Sequence, residues 1–454
     1  MRVPARIYAS EEILEKCLED DSINQLINMT ALPGIVNYAL AMPDAHQGYG
    51  FPIGGVAAVK YPDGAISPGG IGFDENCGVR LLCSEFNDAE IQPYLEKLAD
   101  EICRQVPSGV GRGRGKHLSI SQIDRILQQG AQEMVKMGYG SEDDIEHCEE
   151  RGKIKHADPS CVSNQAKMRG RNQVGTLGAG NHFLEIQKVE QIFDEKTAKI
   201  FGLSNGKITV MIHSGSRGLG HQTCDDYLKI ARRAMPKYGI SVVDRDLSCV
   251  PFNSTEGQRF FGAMSAASNY GWANRHAMAH YIRRAWQIIL GQKVNLSLIY
   301  DVAHNIAKIE EHTINDQKIK LIVHRKGATR AFSKDSPEIP EKYRQAGQPV
   351  LIPGSMGTAS YVMVGLPKAA ETFYSVSHGA GRAMSRSEAL RTLNPAEIKK
   401  ELKAQKIIVK ASRRGLVEEA PMVYKNVDNV VDVIAGAGLA RKIARLKPVA
   451  VIKG

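Results

Sequence analysis

The sequence predicts one large α+β domain in which helices and strands share a common core. Three observations point there. The chain has 454 residues, 43% hydrophobic and 24% charged, the composition of a protein that can bury a sizeable core. Segments with strand alternation are interspersed with helical stripes along its whole length. No internal repeat, low-complexity linker or shift of composition marks a boundary, so residues 1–454 are expected to form a single domain.

Composition also excludes some classes. No apolar run approaches the roughly 18 residues that would span a bilayer. The first residues lack a long apolar signal core and run into a helix pattern. The eight cysteines are scattered with no C-x-x-C pair, so reduced thiols and a cytoplasmic location are expected. A net charge of +10 and a pI of about 9.1 favour an anionic partner, nucleic acid first. Basic pairs such as Arg232-Arg233, Arg283-Arg284, Arg325-Lys326 and Arg413-Arg414 suit a solvated helix face equally well.

Taken in order, the N-terminal segment reads as helical. Ile13, Leu14, Cys17 and Leu18 share a face, and Ile23, Leu26 and Ile27 repeat it before Pro33-Gly34. Residues 41–55 read as a turn-rich loop carrying Asp44 and His46. A strand over 56–59 then enters Ser67-Pro-Gly-Gly-Ile-Gly-Phe-Asp74-Glu-Asn-Cys77-Gly-Val79, the stretch around which the chain is organised. Its glycines and proline exclude a regular helix and permit close backbone approach. Asp74 and Cys77 can then be aimed together by one turn. A carboxylate beside a thiolate suits a transition metal better than magnesium, because thiolate is soft. Alone, the pair reads more readily as a turn cap beside a small buried thiol.

Residues 118–138 predict the clearest helix, with Ser121 and Asp124 at its start and Gly138 at its end. Before it, Gly109-Val-Gly-Arg-Gly-Arg-Gly-Lys116-His117 resembles a phosphate loop only superficially. Histidine follows Lys116 where Ser or Thr is required, and no buried strand leads in. A basic loop against a polyanion and a plain solvent loop both remain open. Residues 139–172 are polar and mixed in charge and predict surface, with Lys167, Arg169 and Arg171 as a second basic cluster.

Beyond this the spacing becomes informative. Asn181-His182 precedes an alternating strand over 183–187, His213 closes one over 208–213, His304 follows one over 295–300, and His378 ends one over 371–377. Four histidines at strand termini beside Gly or Asn, with the Asp/Cys turn, predict a metal or catalytic cluster. Helices over 223–237 and 256–290 lie between. The first should bury Tyr227, Ile230, Ala231 and Ala234, and the second Phe260, Met264 and Ala267. Ser385-x-x-Glu388 and Asn394-Pro-Ala-Glu397 read as successive capping boxes. The first starts a helix just past the glycine loop after His378, where free amides can meet a phosphate. A small apolar strand over 449–452 ends the chain, before Lys453-Gly454.

Eight separated motifs then resemble a known family. They are Pro43-Asp-Ala-His-Gln-Gly48, Gly72-Phe-Asp-Glu-Asn-Cys-Gly78, Gly178-Ala-Gly-Asn-His182 and His213-Ser-Gly-Ser-Arg-Gly218. The rest are Asp301-Val-Ala-His-Asn305, His324-Arg-Lys-Gly-Ala-Thr-Arg330, Pro353-Gly-Ser-Met-Gly-Thr358 and Ser377-His-Gly-Ala-Gly-Arg382. In this order they resemble the RtcB RNA ligases across essentially the whole chain. The resemblance implies stacked mixed β-sheets flanked by helices. It implies a GTP- and manganese-dependent ligase joining RNA 2′,3′-cyclic phosphate or 3′-phosphate ends to 5′-hydroxyl ends. The family often works with archease, which stands as an optional partner; a monomer is expected, with no membrane involved.

Carried over motif by motif, Asp74, Cys77, His182, His213 and His304 would be metal ligands, with Cys77 bridging two Mn²⁺ ions. His378 would be the nucleophile that takes GMP, oriented by Asp44. The nucleotide would lie against Asn181, Glu185 and Asn305, the loop of Pro353, Gly354, Ser355 and Met356, and Ser360. Gly379, Ala380 and Gly381, with Tyr424 and Lys453, would complete its site. Glu75 is a departure from the family pattern, where an apolar residue is expected, and should add charge beside the metals. Elementary chemistry agrees. A nucleophilic imidazole must be neutral and in one tautomer, which a carboxylate on its other nitrogen secures. Two readings compete: a metal-dependent phosphodiesterase or phosphatase without covalent nucleotide, and a non-catalytic RNA-binding protein with a structural cluster.

Overall fold

Strand Ala440–Lys453, the last fourteen residues but one, runs through the interior of an eight-stranded sheet. The computed structural model describes residues 1–115, 117–291 and 294–454. Across the sheet the order is Pro349–Ile352, Ser360–Gly365, Ala440–Lys453, Phe183–Ile192, Lys207–Ser214, Gly78–Asn87 and Leu296–Ala303, with Ile408–Ala411 pairing parallel to Ala440–Lys453. A second, five-stranded sheet runs Ala5–Ile7, Ile35–His46, Ile53–Lys60, Gln317–Lys326 and Asn305–Ile314. Its first pair is parallel and the rest antiparallel. One hydrophobic cluster draws on both, with Val210 and Ile186 from the first and Val59 and Ile322 from the second. This is the α+β architecture of stacked mixed sheets and helices that the sequence predicts.

The chain crosses between sheets at a single residue: Leu296–Ala303 ends, His304 follows, and Asn305–Ile314 begins in the other sheet. Helix Thr255–Leu290 packs against the larger sheet and is buried almost all round from Phe260 to Ile282. Its alanines, glycines and serines let neighbouring elements approach closely, as a helix without a solvent face requires. No helix of the described residues is long and apolar enough to cross a membrane.

Several expectations need correction. The N-terminal helix is two, Glu11–Leu18 and Ser22–Met29, and its apolar stripe is narrower than predicted, because Leu14, Leu18 and Ile27 are exposed. Asp44 and His46 lie in strand Ile35–His46, not a loop; an irregular register between Ala41 and His46 accommodates the turn-like residues. The helix over 118–138 is capped by Ser119 with Gln122, and Gly130 splits it into Ile120–Gln129 and Ala131–Lys136. A side chain at Gly130 would meet the Gly152 carbonyl at 2.1 Å. Residues 139–172 are not simply surface. Asp144, His147, Cys148 and Glu149 are buried, with Asp144 paired to Arg283 and Glu149 to Lys308, each at 2.6 Å.

Helix Arg217–Ala234 starts earlier than predicted and leaves Ile230 exposed. The strand before His378 shrinks to Ser375–Ser377, because Pro367–Thr372 is a 3-10 helix closed by Phe373 and Tyr374 at positive φ. Both caps stand where predicted: Ser385 accepts from Glu388 N at 3.2 Å and Asn394 from Ala396 N at 2.9 Å. The C-terminal strand is far longer than 449–452, because it alternates imperfectly and is charged on its exposed positions.

Candidate functional site

Four neighbouring strands of the larger sheet, Phe183–Ile192, Lys207–Ser214, Gly78–Asn87 and Leu296–Ala303, run antiparallel to one another. His182 precedes the first, His213 closes the second, Cys77 precedes the third and His304 follows the fourth. Alternating direction therefore brings all four side chains to one sheet edge; His213 faces both Phe183 and Val79 in register. Asp74 joins them through a turn in which its carbonyl accepts from Cys77 N at 2.9 Å, with Asn76 at φ 51°.

The ligating atoms form two triads that share Cys77: Cys77, His213 and His304, and Asp74, Cys77 and His182, each within 4.8 Å. Cys77 Sγ lies 3.2 Å from His213 Nε2 and 3.4 Å from His182 Nε2. His213 Nε2 is 3.2 Å from His304 Nε2, and Asp74 Oδ2 is 2.7 Å from His182 Nε2. His182 Nδ1 sits 3.0 Å from the Leu177 carbonyl, which can only accept an N–H there, so Nε2 is the nitrogen turned toward Asp74 and Cys77. Burial, reinforced by neighbouring positive charge, holds the His213 and His304 imidazoles well below their ordinary value, so both are neutral ligands. Burial and then the Asp74 charge push the Cys77 thiol well up; a bound cation reverses that balance. Neutral imidazoles, a carboxylate and a shared thiol are a donor set that fits a pair of divalent transition-metal ions.

Beneath this edge Arg275 holds the turns together. From the fully buried middle of helix Thr255–Leu290 it donates to the carbonyls of Asn76 at 2.8 Å and Ser214 at 2.9 Å, and pairs with Asp301 at 2.7 Å. It thus grips the backbone beside Cys77, beside His213, and the strand leading to His304.

Next to the cluster opens a cavity of about 870 Å³. The His304 and His378 rings are 4.7 Å apart at its floor. His378 Nδ1 lies 2.6 Å from Asp44 Oδ2, and among the described residues its Nε2 has no hydrogen-bond partner. Gly381, at φ 74°, passes so close to Asp44 that a side chain would meet the Asp44 carbonyl at 2.2 Å. Asn181, Glu185 and Asn305 line the same cavity. So do Pro353, Gly354, Ser355 and Met356, then Gly379, Ala380 and Gly381, and finally Tyr424 and Lys453. Ser360 stands behind this wall, fully buried, where its Oγ accepts from Gly354 N at 3.2 Å and Gln187 Nε2 at 3.0 Å; it braces the loop rather than lining it.

Glu185 is buried with Oε1 unpartnered, and burial pushes its carboxyl up to about 8. An orphaned polar atom on a residue that lines a roomy cavity is what a ligand with N–H or O–H donors would satisfy. Arg382 and Lys326 also line the cavity, and Glu419, which does not, braces the wall from behind. Glu419 is 3.5 Å from Lys453 and 3.1 Å from Arg382, and accepts from the Tyr424 hydroxyl. Lys326 donates to the carbonyls of Gly69 and Tyr49. Arg382 and Lys326 fall within the quoted motifs, so those could have found them; Glu419 carries no local signal.

Two charge expectations need revision. Among the described residues both Glu75 oxygens are buried without partners, and burial followed by the Asp74 charge pushes its carboxyl well up, which opposes the added charge expected beside the cluster. In the second basic cluster Lys167 is buried and paired to Asp124 at 2.7 Å, while Arg169 stays exposed with a bond to Gln222 and the half-buried Arg171 donates to the Leu118 carbonyl. In the glycine-rich loop Arg112 is exposed, Arg114 lies over the Tyr281 ring at 3.7 Å, and Lys116 is outside the described residues.

Comparison with known proteins adds a family. The family model described as tRNA-splicing ligase RtcB matches residues 25–454. Proteins named tRNA-splicing ligase RtcB from Archaeoglobus fulgidus and Thermococcus kodakarensis are 52% and 50% identical, each aligned over 100% of this chain and 95% of their own length. One from Aeropyrum pernix is 49% identical over 100% of this chain and 96% of its own.

Proposed function

The chain belongs to the RtcB family of tRNA-splicing ligases and is an RNA ligase; from that premise we propose that it is GTP- and manganese-dependent and works through a histidine-GMP intermediate. It would join RNA 3′-phosphate ends to 5′-hydroxyl ends, a 2′,3′-cyclic phosphate end first being opened by water, with cleavage of the 2′ P–O bond, to a 3′-phosphate. The observation that carries the reading is His378, whose Nδ1 is taken by a buried carboxylate while Nε2 is left free at the cavity floor.

Asp44 holds the Nδ1 proton, so the Nε2 lone pair is available to attack the α-phosphorus of GTP. A P–N bond forms to Nε2 as the P–O bond to pyrophosphate breaks, and Asp44 balances the positive charge that develops on the ring. Transfer of GMP from Nε2 to an RNA 3′-phosphate restores the imidazole and leaves that phosphate activated toward a 5′-hydroxyl, with GMP as leaving group. Asp74, Cys77, His182, His213 and His304 would hold two manganese ions, Cys77 being shared, as the two triads suggest. When bound, the ions would neutralise phosphate charge.

The nucleotide would occupy the cavity lined by Asn181, Glu185, Asn305, the 353–356 loop, the 379–381 glycine loop, Tyr424 and Lys453. The orphaned Glu185 oxygen supports this placement, and Ser360 acts by bracing the loop. A core cluster reaching from Ile13 to Ile452 supports reading the chain as one catalytic domain, and eight free cysteines support a reducing, cytoplasmic setting. Incubation with α-labelled GTP and each divalent metal tests the reading. A protein-GMP adduct dependent on manganese is expected; a phosphodiesterase or a passive RNA-binding protein would form none.

A further inference from the structure

At the cavity rim beside the Asp74 turn, three aromatic rings stand together outside every role assigned above. Phe73 stacks on His221, centroids 4.9 Å apart and planes 25° from parallel, and meets Tyr49 edge-on at 5.5 Å. Tyr49 and Phe73 line the same cavity as His304 and His378. Tyr49 is 58% exposed, His221 is exposed and Phe73 is half-buried.

The exposure of Tyr49 is built in. Its carbonyl accepts from Phe51 N at 2.9 Å and from the buried Lys326 ammonium. One residue earlier, Gly48 exchanges two hydrogen bonds with the Gln25 amide, at 2.7 and 2.9 Å. Phe73 is fixed by the turn that delivers Asp74, and His221 by helix Arg217–Ala234. The backbone that carries Tyr49 is therefore held in place at the cavity. Single exposed rings are ordinary, but aromatic rings grouped in contact at a cavity mark an interaction surface.

We propose that Tyr49, braced by Phe73 and His221, is a stacking platform for an unpaired nucleobase adjacent to one of the RNA ends brought to His378. The proposal rests on the RNA-ligase reading and gives it a substrate contact. Every base has a π-face, so a ring platform accepts any sequence, but only a base free of its complementary partner can be laid on it. The net charge of +10 draws the polyanion in without registering its end; the ring supplies the register.

The test couples ring to base. RNAs with a 3′-phosphate and a 5′-hydroxyl are made with an abasic nucleotide at one terminus or the other. Binding to the full chain is read by fluorescence anisotropy with manganese and no GTP. For the unmodified protein, removing the base at one terminus should weaken binding roughly 5- to 150-fold. Tyr49→Ala should bind intact RNA correspondingly weakly and be indifferent to base removal, while Tyr49→Phe should behave like tyrosine. The terminus that responds identifies the end. The proposal is overturned if Tyr49→Ala binds intact RNA as tightly as tyrosine, or if base removal weakens both proteins equally at both termini. Adduct formation with GTP, read on the same preparations, keeps the two ideas apart. An unmodified protein that forms the adduct normally but binds intact and abasic RNA equally at both termini sinks the platform alone. An unmodified protein that forms no adduct and joins no ends sinks the ligase reading.

Discussion

Asp44 Oδ2 lies 2.6 Å from His378 Nδ1 and also accepts the backbone N–H groups of His378 and Gly379, at 2.9 and 3.3 Å, across 334 residues of chain. One buried oxygen thus sets the tautomer of the ring and the backbone that carries it. Burial by itself raises the Asp44 carboxyl, but the His378 charge and hydrogen bonds outweigh it and the net shift is downward. A lowered folded value means the contribution is present above the ordinary aspartate range and is lost only as pH falls through the lowered value. At neutral pH Asp44 is charged.

Asp44→Ala should therefore slow adduct formation by roughly 10²–10⁴-fold, through a misplaced or wrongly protonated imidazole. Single-turnover labelling with GTP measures this, and metal content should not change. An unchanged rate would remove Asp44 from the reaction.

Cys77 is the atom the two triads share. Cys77→Ser should lose most bound manganese and activity, because an alcohol does not readily ionise to a bridging anion near neutral pH. Metal analysis after dialysis checks it; full occupancy in the serine variant would place the metal elsewhere.

Glu185 predicts a pH effect on stability. Its carboxyl is held at about 8 when folded, against an ordinary glutamate value of 4.5. The unfolded chain releases this proton first, so the group lowers stability progressively as pH rises between those values. In metal- and nucleotide-free protein, Glu185→Gln should show a shallower decline in its urea midpoint between about pH 5 and about pH 8. Parallel curves for the two proteins would contradict the assignment.

Arg275→Met leaves Asp301 with Arg80 as its remaining cation and frees the carbonyls of Asn76 and Ser214. Breaking a fully buried pair costs about 3–5 kcal/mol, so the variant should unfold at much lower urea and bind manganese more weakly. Wild-type stability would show the clamp to be dispensable.

Much of this site was legible in the sequence, and the reasons are local. His182, His213 and His304 sit beside glycine or asparagine at strand ends, where a side chain must either be satisfied or used. Asp44 reads as a loop residue because an irregular strand borrows turn residues. Residues 139–172 and Lys167 were assigned to the surface because a buried ion pair has the same composition as a solvated one; only the fold brings Arg283 to Asp144. Arg275 left no trace, since Asn76 and Ser214 are 199 and 61 residues away in the chain. Glu75 differs for the opposite reason: its sequence neighbours give no sign that burial opposes its charge.

The central claim is that GMP is carried on His378, and peptide mapping of the adduct tests it most directly. After incubation with GTP and manganese, mass spectrometry should place the GMP mass on the peptide containing His378. The linkage should be acid-labile and alkali-stable, as a phosphoramidate to imidazole is, and His378→Ala should carry no adduct while retaining its metal. An adduct on a lysine, or one that persists in His378→Ala, would contradict the account.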